Sequence, residues 1–70
     1  MNNHKENILK LKDGETYFIS TGEEAGGEIW KKNNWYFLFE IPQYGGEPMF
    51  VEYFPFDEVD KLVETVLSWT

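Results

Sequence analysis

The sequence contains no cysteine and no arginine, and its only histidine is His4. Without cysteine the chain can form no disulfide and cannot hold a metal through thiolates. Its six lysines stand against thirteen acidic residues, whereas nucleic-acid binders draw much of their affinity from cationic contacts to phosphate. The same imbalance disfavours binding to an anionic membrane surface. We therefore expect neither nucleic acid nor a membrane among its partners.

Long apolar segments are also missing. No run approaches the roughly 20 apolar residues that a membrane-spanning helix needs. Residues 1–7 are polar and lack the apolar centre of a signal peptide. These features predict a cytoplasmic location. The length of 70 residues predicts a single domain, 1–70, with residues 1–6 as a frayed N-terminal segment.

Catalytic groups are equally scarce. His4 lies in the polar N-terminal segment, and neither Ser20 nor Ser68 has a base near it in the sequence. The acidic pair Glu23-Glu24 sits in a glycine-rich stretch without the alternating ligands of a calcium loop. The sequence therefore predicts no enzymatic activity, no cofactor and no metal site.

Aromatic residues, in contrast, are abundant: three Trp, four Tyr and six Phe. A chain this short hides only about 60% of its unfolded surface on folding, while one buried aromatic side chain hides roughly 150–250 Å². We therefore expect most of the aromatic side chains to be buried, either inside the domain or against a partner.

The first part of the chain predicts a β-hairpin and then a loop. Residues 8–12 and 15–19 flank Asp13-Gly14, a dipeptide typical of a type I′ hairpin turn. Residues 20–27 contain three glycines and two glutamates, which favours a flexible acidic loop.

A second hairpin is predicted around Asn33-Asn34, because asparagine tolerates the left-handed backbone region. A two-residue turn pairs Lys32 with Trp35 and Trp30 with Phe37. One face of this hairpin then carries large apolar side chains, and we expect it to be the core face. Its residues are Trp30, Trp35, Phe37, Phe39 and Ile41.

The end of the chain predicts one more strand and a helix. Residues 49–54 form the strand, and simple alternation places Phe50 and Phe54 on the same face. After Pro55, apolar residues at 59, 62, 63, 66 and 67 have the spacing of an amphipathic helix, with Asp57 as its N-cap. The predicted fold is α+β, an antiparallel β-meander of four to five strands with one C-terminal helix packed on one face (βββββα).

In such a meander both predicted turns lie at one end of the sheet, so the molecule is expected to have a basic end and an acidic end. The basic end gathers Lys10, Lys12, Lys31 and Lys32. The acidic end gathers Glu23, Glu24, Glu28 and Glu47.

A single helix covers one face of a sheet, yet apolar side chains occur on both faces of most of the predicted strands. An exposed apolar patch above a few hundred Å² usually marks an interface. The sequence therefore predicts a small non-enzymatic protein-interaction module, and a homodimer is one form of that interaction. The alternative is an acidic decoy that inhibits a basic nucleic-acid-binding protein, suggested by the net charge of −7. The candidate partner-binding residues are Tyr17, Trp30, Tyr36, Tyr44, Tyr53, Glu23, Glu24 and Glu47.

Overall fold

A computed structural model describes residues 3–44 and 46–70 of the chain. In chain order its elements are helix α1 (His4–Leu9), strands β1 (Thr16–Gly22), β2 (Ala25–Lys32), β3 (Trp35–Ile41) and β4 (Met49–Pro55), a 3-10 turn (Phe56–Glu58) and helix α2 (Val59–Leu67).

Strands β1 to β4 form one antiparallel sheet in the order β1-β2-β3-β4. The predicted meander with a C-terminal helix is therefore confirmed. The β2–β3 hairpin has the predicted register, with Lys32 opposite Trp35 and Trp30 opposite Phe37. Its turn needs the left-handed backbone that asparagine tolerates, because φ of Asn33 is +56°.

The first predicted strand is wrong, because residues 4–9 form helix α1. Ile8 of this helix lies in the core, and Leu11, which follows the helix, packs against the core. The Asp13-Gly14 dipeptide still makes a turn, in which Glu15 N–H donates to Lys12 O at 2.9 Å, but this turn joins α1 to β1 rather than two strands. Of the six residues predicted to fray, 1 and 2 lie outside the described residues, and 4–6 form the start of α1.

The predicted acidic loop over residues 20–27 is also wrong. Strand β1 continues to Gly22 and β2 begins at Ala25, so only Glu23 and Glu24 form the turn between them. Glu24 adopts a φ of +55°. No Asn-Gly or Asp-Gly dipeptide marks this turn in the sequence, which explains why the hairpin was not predicted.

The core lies between the sheet and the two helices. It consists of Ile8, Ile19, Ile29, Tyr36, Leu38, Phe54, Val59, Leu62 and Val66. The predicted core face is therefore wrong, because the buried β2 and β3 residues come from the opposite face of that hairpin. The aliphatic stripe of α2 packs on this side of the sheet.

Close packing of α2 depends on Gly27. A Cβ at this position would lie 2.9 Å from Cγ2 of Val66 and 3.2 Å from Cδ1 of Leu38. The bare glycine backbone thus lets the helix approach the sheet. The helix itself begins at Val59, after the 3-10 turn, and the predicted N-cap Asp57 lies within that turn.

An extra residue in β4 reverses the expected alternation of its side chains. Glu52 pairs with Leu38, whereas Phe50 pairs with Phe39, so Val51 is a β-bulge. Phe54 therefore faces the core opposite Tyr36, while Phe50 faces the other side of the sheet. The prediction that both phenylalanines share a face is wrong for this reason.

Candidate binding surface

The face of the sheet that points away from α2 is covered with aromatic side chains. Each strand contributes at alternate positions, apart from the bulge in β4. We call this surface the aromatic face. It consists of Phe18, Trp30, Trp35, Phe37, Phe39, Phe50 and Tyr53.

The rings of the aromatic face contact one another across neighbouring strands. Trp35 and Tyr53 lie edge to face with their centroids 5.3 Å apart. Phe39 contacts Phe50 at 5.6 Å and Trp30 at 5.8 Å. These separations fall within the favourable range for aromatic pairs, which contribute about 0.5–1.5 kcal/mol each beyond the area they bury. These contacts therefore restrict the motion of the rings.

Phe18 extends the aromatic face onto β1. A Cβ at Gly26 would collide with the ring of Phe18, so this ring lies across the glycine backbone of β2. The absence of a side chain at Gly26 thus makes room for Phe18, just as the absence of one at Gly27 makes room for α2.

Much of the aromatic face is accessible to solvent. Phe18, Trp30, Trp35, Phe50 and Tyr53 are between 44% and 55% exposed. At about 200 Å² per aromatic side chain, these five expose roughly 500 Å² in total. The largest apolar patches on monomeric proteins have a similar area and are often functional.

The surface is shallow. One depression of about 260 Å³ is lined by Trp35, Phe37 and Tyr53. A second of about 350 Å³ is lined by Trp30, Phe37 and Phe39 together with Gly14, Lys31 and Lys32. Both are wide, open hollows, and this shape suits a protein surface better than a small molecule that needs enclosure.

Of the four lysines predicted to form a basic end, Lys31 and Lys32 lie at the end of β2, beside the aromatic face, whereas Lys10 follows α1 and not a strand. Lys31 Nζ lies 3.0 Å from Oδ1 of Asp13 and donates to the carbonyl oxygen of Asn33 at 2.7 Å. The hydrogen bond from Lys31, with a second from the backbone of Asn33, lowers the pKa of the Asp13 carboxyl. The loop containing Asp13 is thereby held against the β2–β3 turn.

At the opposite end, the β1–β2 turn meets the segment that follows β3. Tyr44 N–H donates to the carbonyl oxygen of Glu23 at 3.3 Å. Tyr44, Glu23, Glu24 and Glu47 are exposed there. These four predicted residues lie at this acidic end rather than within the aromatic face. The prediction for Glu28 is wrong, because this residue lies in the middle of β2, between Phe18 and Phe39 of the neighbouring strands.

Two other predicted residues have structural positions on the helix side of the sheet. The buried hydroxyl of Tyr36 donates to the carbonyl oxygen of Ile8 at 3.3 Å and so links β3 to α1. Burial raises the pKa of this phenol. Tyr17 is partly buried, and its hydroxyl is hydrogen-bonded to Nδ1 of His4 at 2.8 Å and accepts from Nδ2 of Asn7 at 3.2 Å.

Trp30 and Tyr53 are the predicted residues that the structure places on the aromatic face. The remaining members, which were not among the candidates predicted from the sequence, are Phe18, Trp35, Phe37, Phe39 and Phe50. For Trp35, Phe37 and Phe39 the signal is the aromatic stripe of residues 30–39, which the sequence alone assigns to the core.

Comparison with known proteins gives no match among protein-family models, curated proteins or solved structures. Across residues 3–44 and 46–70, no three His, Asp or Glu side chains come together in a way that could hold a metal ion. Neither helix in this described part of the chain is long and apolar enough to cross a membrane.

Proposed function

We propose that this chain is a small, non-enzymatic protein-interaction module that binds through its aromatic face. The observation that carries the proposal is the ring network opposite α2, with roughly 500 Å² of exposed aromatic surface at about 200 Å² per side chain. Binding hot spots are enriched in Trp and Tyr, and Trp30, Trp35 and Tyr53 supply both. The expected cytoplasmic location is part of the same proposal.

The ring contacts support binding because they restrict side-chain motion before association. A flexible side chain that is immobilised in an interface costs about 0.5–1.5 kcal/mol. The rings of Trp35 and Tyr53 already pack against each other, with their centroids 5.3 Å apart. Less of this entropic cost therefore remains when a partner binds. The two shallow hollows between the rings can accept apolar side chains of the partner.

Site-specific photo-cross-linking tests the proposal. A benzophenone amino acid is placed at the position of Trp35 in one variant and at that of Glu64 in another, and both are expressed in cells. Glu64 is an exposed residue of α2, on the opposite side of the sheet, so it serves as the control. We expect discrete protein adducts from position 35 and few from position 64.

Equal adduct formation from both positions, or adducts from position 64 alone, would contradict the proposal.

The alternative function, an acidic decoy that inhibits a basic nucleic-acid-binding protein, stays a prediction, with the net charge of −7 as its main support. Binding to a basic protein through solvated carboxylates would weaken steeply as salt is raised. Binding through the apolar aromatic face would not weaken in this way as salt is raised.

A further inference from the structure

The two edge strands of the sheet are each interrupted by a bulge. In β1 the register shifts between Ser20 and Gly22, which makes Thr21 the extra residue, and in β4 the extra residue is Val51. Bulges are one of the devices that protect exposed edges from pairing with another chain. Association by edge-to-edge strand pairing is therefore disfavoured, while the aromatic face has no comparable protection.

The aromatic side of the sheet differs from the whole molecule in charge. Among the strand residues that face this side, two are charged: Glu28 and Lys32, both on β2. Their charges cancel, although the chain as a whole carries −7. Two copies can thus meet on this side without bringing unbalanced charges into contact.

The positions of these two charges are self-complementary. Trp30 lies midway between Glu28 and Lys32 on β2, and all three side chains point to the same side of the sheet. Consider a twofold axis that lies between two facing sheets, perpendicular to the strands and level with Trp30. This axis reverses the strand direction in the second copy. It then places Glu28 of each copy over Lys32 of the other and stacks the two Trp30 side chains. Such reciprocal pairing is what an isologous interface requires.

The available area also fits a dimer of modest affinity. The five most exposed aromatic side chains offer roughly 500 Å² at about 200 Å² each. The half-buried rings of Phe37 and Phe39 and the stems of Glu28 and Lys32 add to this. The total approaches the roughly 800 Å² per partner of a standard interface.

We propose that the partner of the aromatic face is a second copy of this chain, packed face to face about a twofold axis at Trp30. This inference rests on the proposed function, because it names the partner of the same surface. The resulting dimer is a β-sandwich in which α1 and α2 of each copy lie on the outside. Two aligned sheets packed in this way lie about 10 Å apart.

Sedimentation velocity over a dilution series, at low and high salt, tests the proposal. We expect monomers near 1 µM and dimers at roughly 100 µM, as for micromolar affinity. Raising the salt should favour the dimer, because screening weakens the repulsion between two copies of charge −7. A chain that stays monomeric throughout, or a dimer that dissociates as salt rises, would overturn the proposal.

Charge exchange tests the predicted pairing. Glu28→Lys and Lys32→Glu should each weaken dimerisation roughly tenfold, because each places like charges opposite each other twice per dimer. The double exchange should restore affinity to within about threefold of the parent. Glu47→Lys is the matched control: it changes net charge as Glu28→Lys does, but it lies at the acidic end and should leave the dimer intact or strengthen it slightly. Additive losses in the double variant would overturn the pairing.

The outcome for this dimer can be separated from that for the proposed function. If the chain is monomeric at every concentration while position 35 still cross-links to a different protein, the second-copy proposal fails and the binding-module proposal stands. If the chain dimerises and position 35 forms no adduct with itself or any other protein, both proposals fail, because the dimer then uses another surface.

Discussion

The most informative prediction compares two phenylalanines of one strand. Phe54 is 4% exposed and packs in the core, whereas Phe50 is 53% exposed on the aromatic face. Both belong to β4, so Phe54→Ala and Phe50→Ala incur a similar loss of strand propensity. The difference between the two variants therefore reports how deeply each ring is buried.

The expected magnitudes follow from the two environments. Phe54→Ala removes a fully enclosed ring and leaves a cavity, which costs about 3–5 kcal/mol. Phe50→Ala removes a ring of which about half is in contact with protein, and water fills the space. At about 25 cal/mol/Å², reduced for a compact unfolded chain, this loss is about 2 kcal/mol or less. A domain of 70 residues has a total stability of about 3.5–10 kcal/mol, so Phe54→Ala leaves little margin.

Urea unfolding followed by tryptophan fluorescence measures both losses. The protein concentration is kept near 1 µM, so that dimerisation does not add to the apparent stability. Phe54→Leu provides a milder core variant in case Phe54→Ala does not fold. Equal losses of stability for Phe50→Ala and Phe54→Ala, or a larger loss for Phe50→Ala, would contradict the assignment of Phe54 to the core and of Phe50 to the exposed aromatic face.

Three further predictions concern the helix side and the basic end. Tyr36→Phe should lower stability by about 1 kcal/mol in urea unfolding, because the carbonyl oxygen of Ile8 loses its buried donor. Gly27→Ala should cost about 1–3 kcal/mol by overpacking against α2, whereas Gly22→Ala, where a Cβ meets nothing closer than 4.0 Å, should change stability little. The lowered pKa of Asp13 stabilises the fold above the unfolded value near 3.9, and this contribution is lost as pH falls through the folded pKa. In urea unfolding at a series of pH values, Asp13→Asn should therefore be less stable than the parent near neutral pH, and the two stabilities should converge in acid.

Local sequence signals predicted the second half of the fold well. The β2–β3 hairpin has an Asn-Asn turn and a continuous β-rich run, and α2 has a clear amphipathic spacing. In both elements the local preference agrees with the tertiary environment. That agreement is why the register of β2 with β3 and the position of the helix could be predicted.

The first half of the fold was harder to predict from the sequence, because its local signals favour several structures. Residues 8–12 alternate like a strand, yet Ile8 and Leu11 are also spaced like one face of a helix. The glycines at 26 and 27 suggested a loop, although each one makes room for a neighbouring element. That requirement is visible only once Phe18 and α2 are in place.

The identity of the core face could not be read from hydrophobicity alone. The aromatic face has the larger side chains, but the aliphatic residues of α2 pack on the smaller face around Ile29 and Leu38. The bulge at Val51 then moved Phe50 away from the side of Phe54. Volume and aromatic content thus favoured the wrong face, and part of the binding surface was missed with it.

The central claim is that the aromatic face is accessible in the monomer and is covered when a second copy of the chain packs against it. Hydroxyl-radical footprinting with mass spectrometry tests it directly, at concentrations of about 1 µM and 200 µM that bracket a micromolar dissociation constant. We expect Trp30, Trp35 and Tyr53 to be oxidised in the dilute sample and protected in the concentrated one. Tyr44 and Trp69, which lie off the aromatic face, should be oxidised equally in both. Equal oxidation of Trp30, Trp35 and Tyr53 at the two concentrations, or protection confined to Tyr44 and Trp69, would contradict the account.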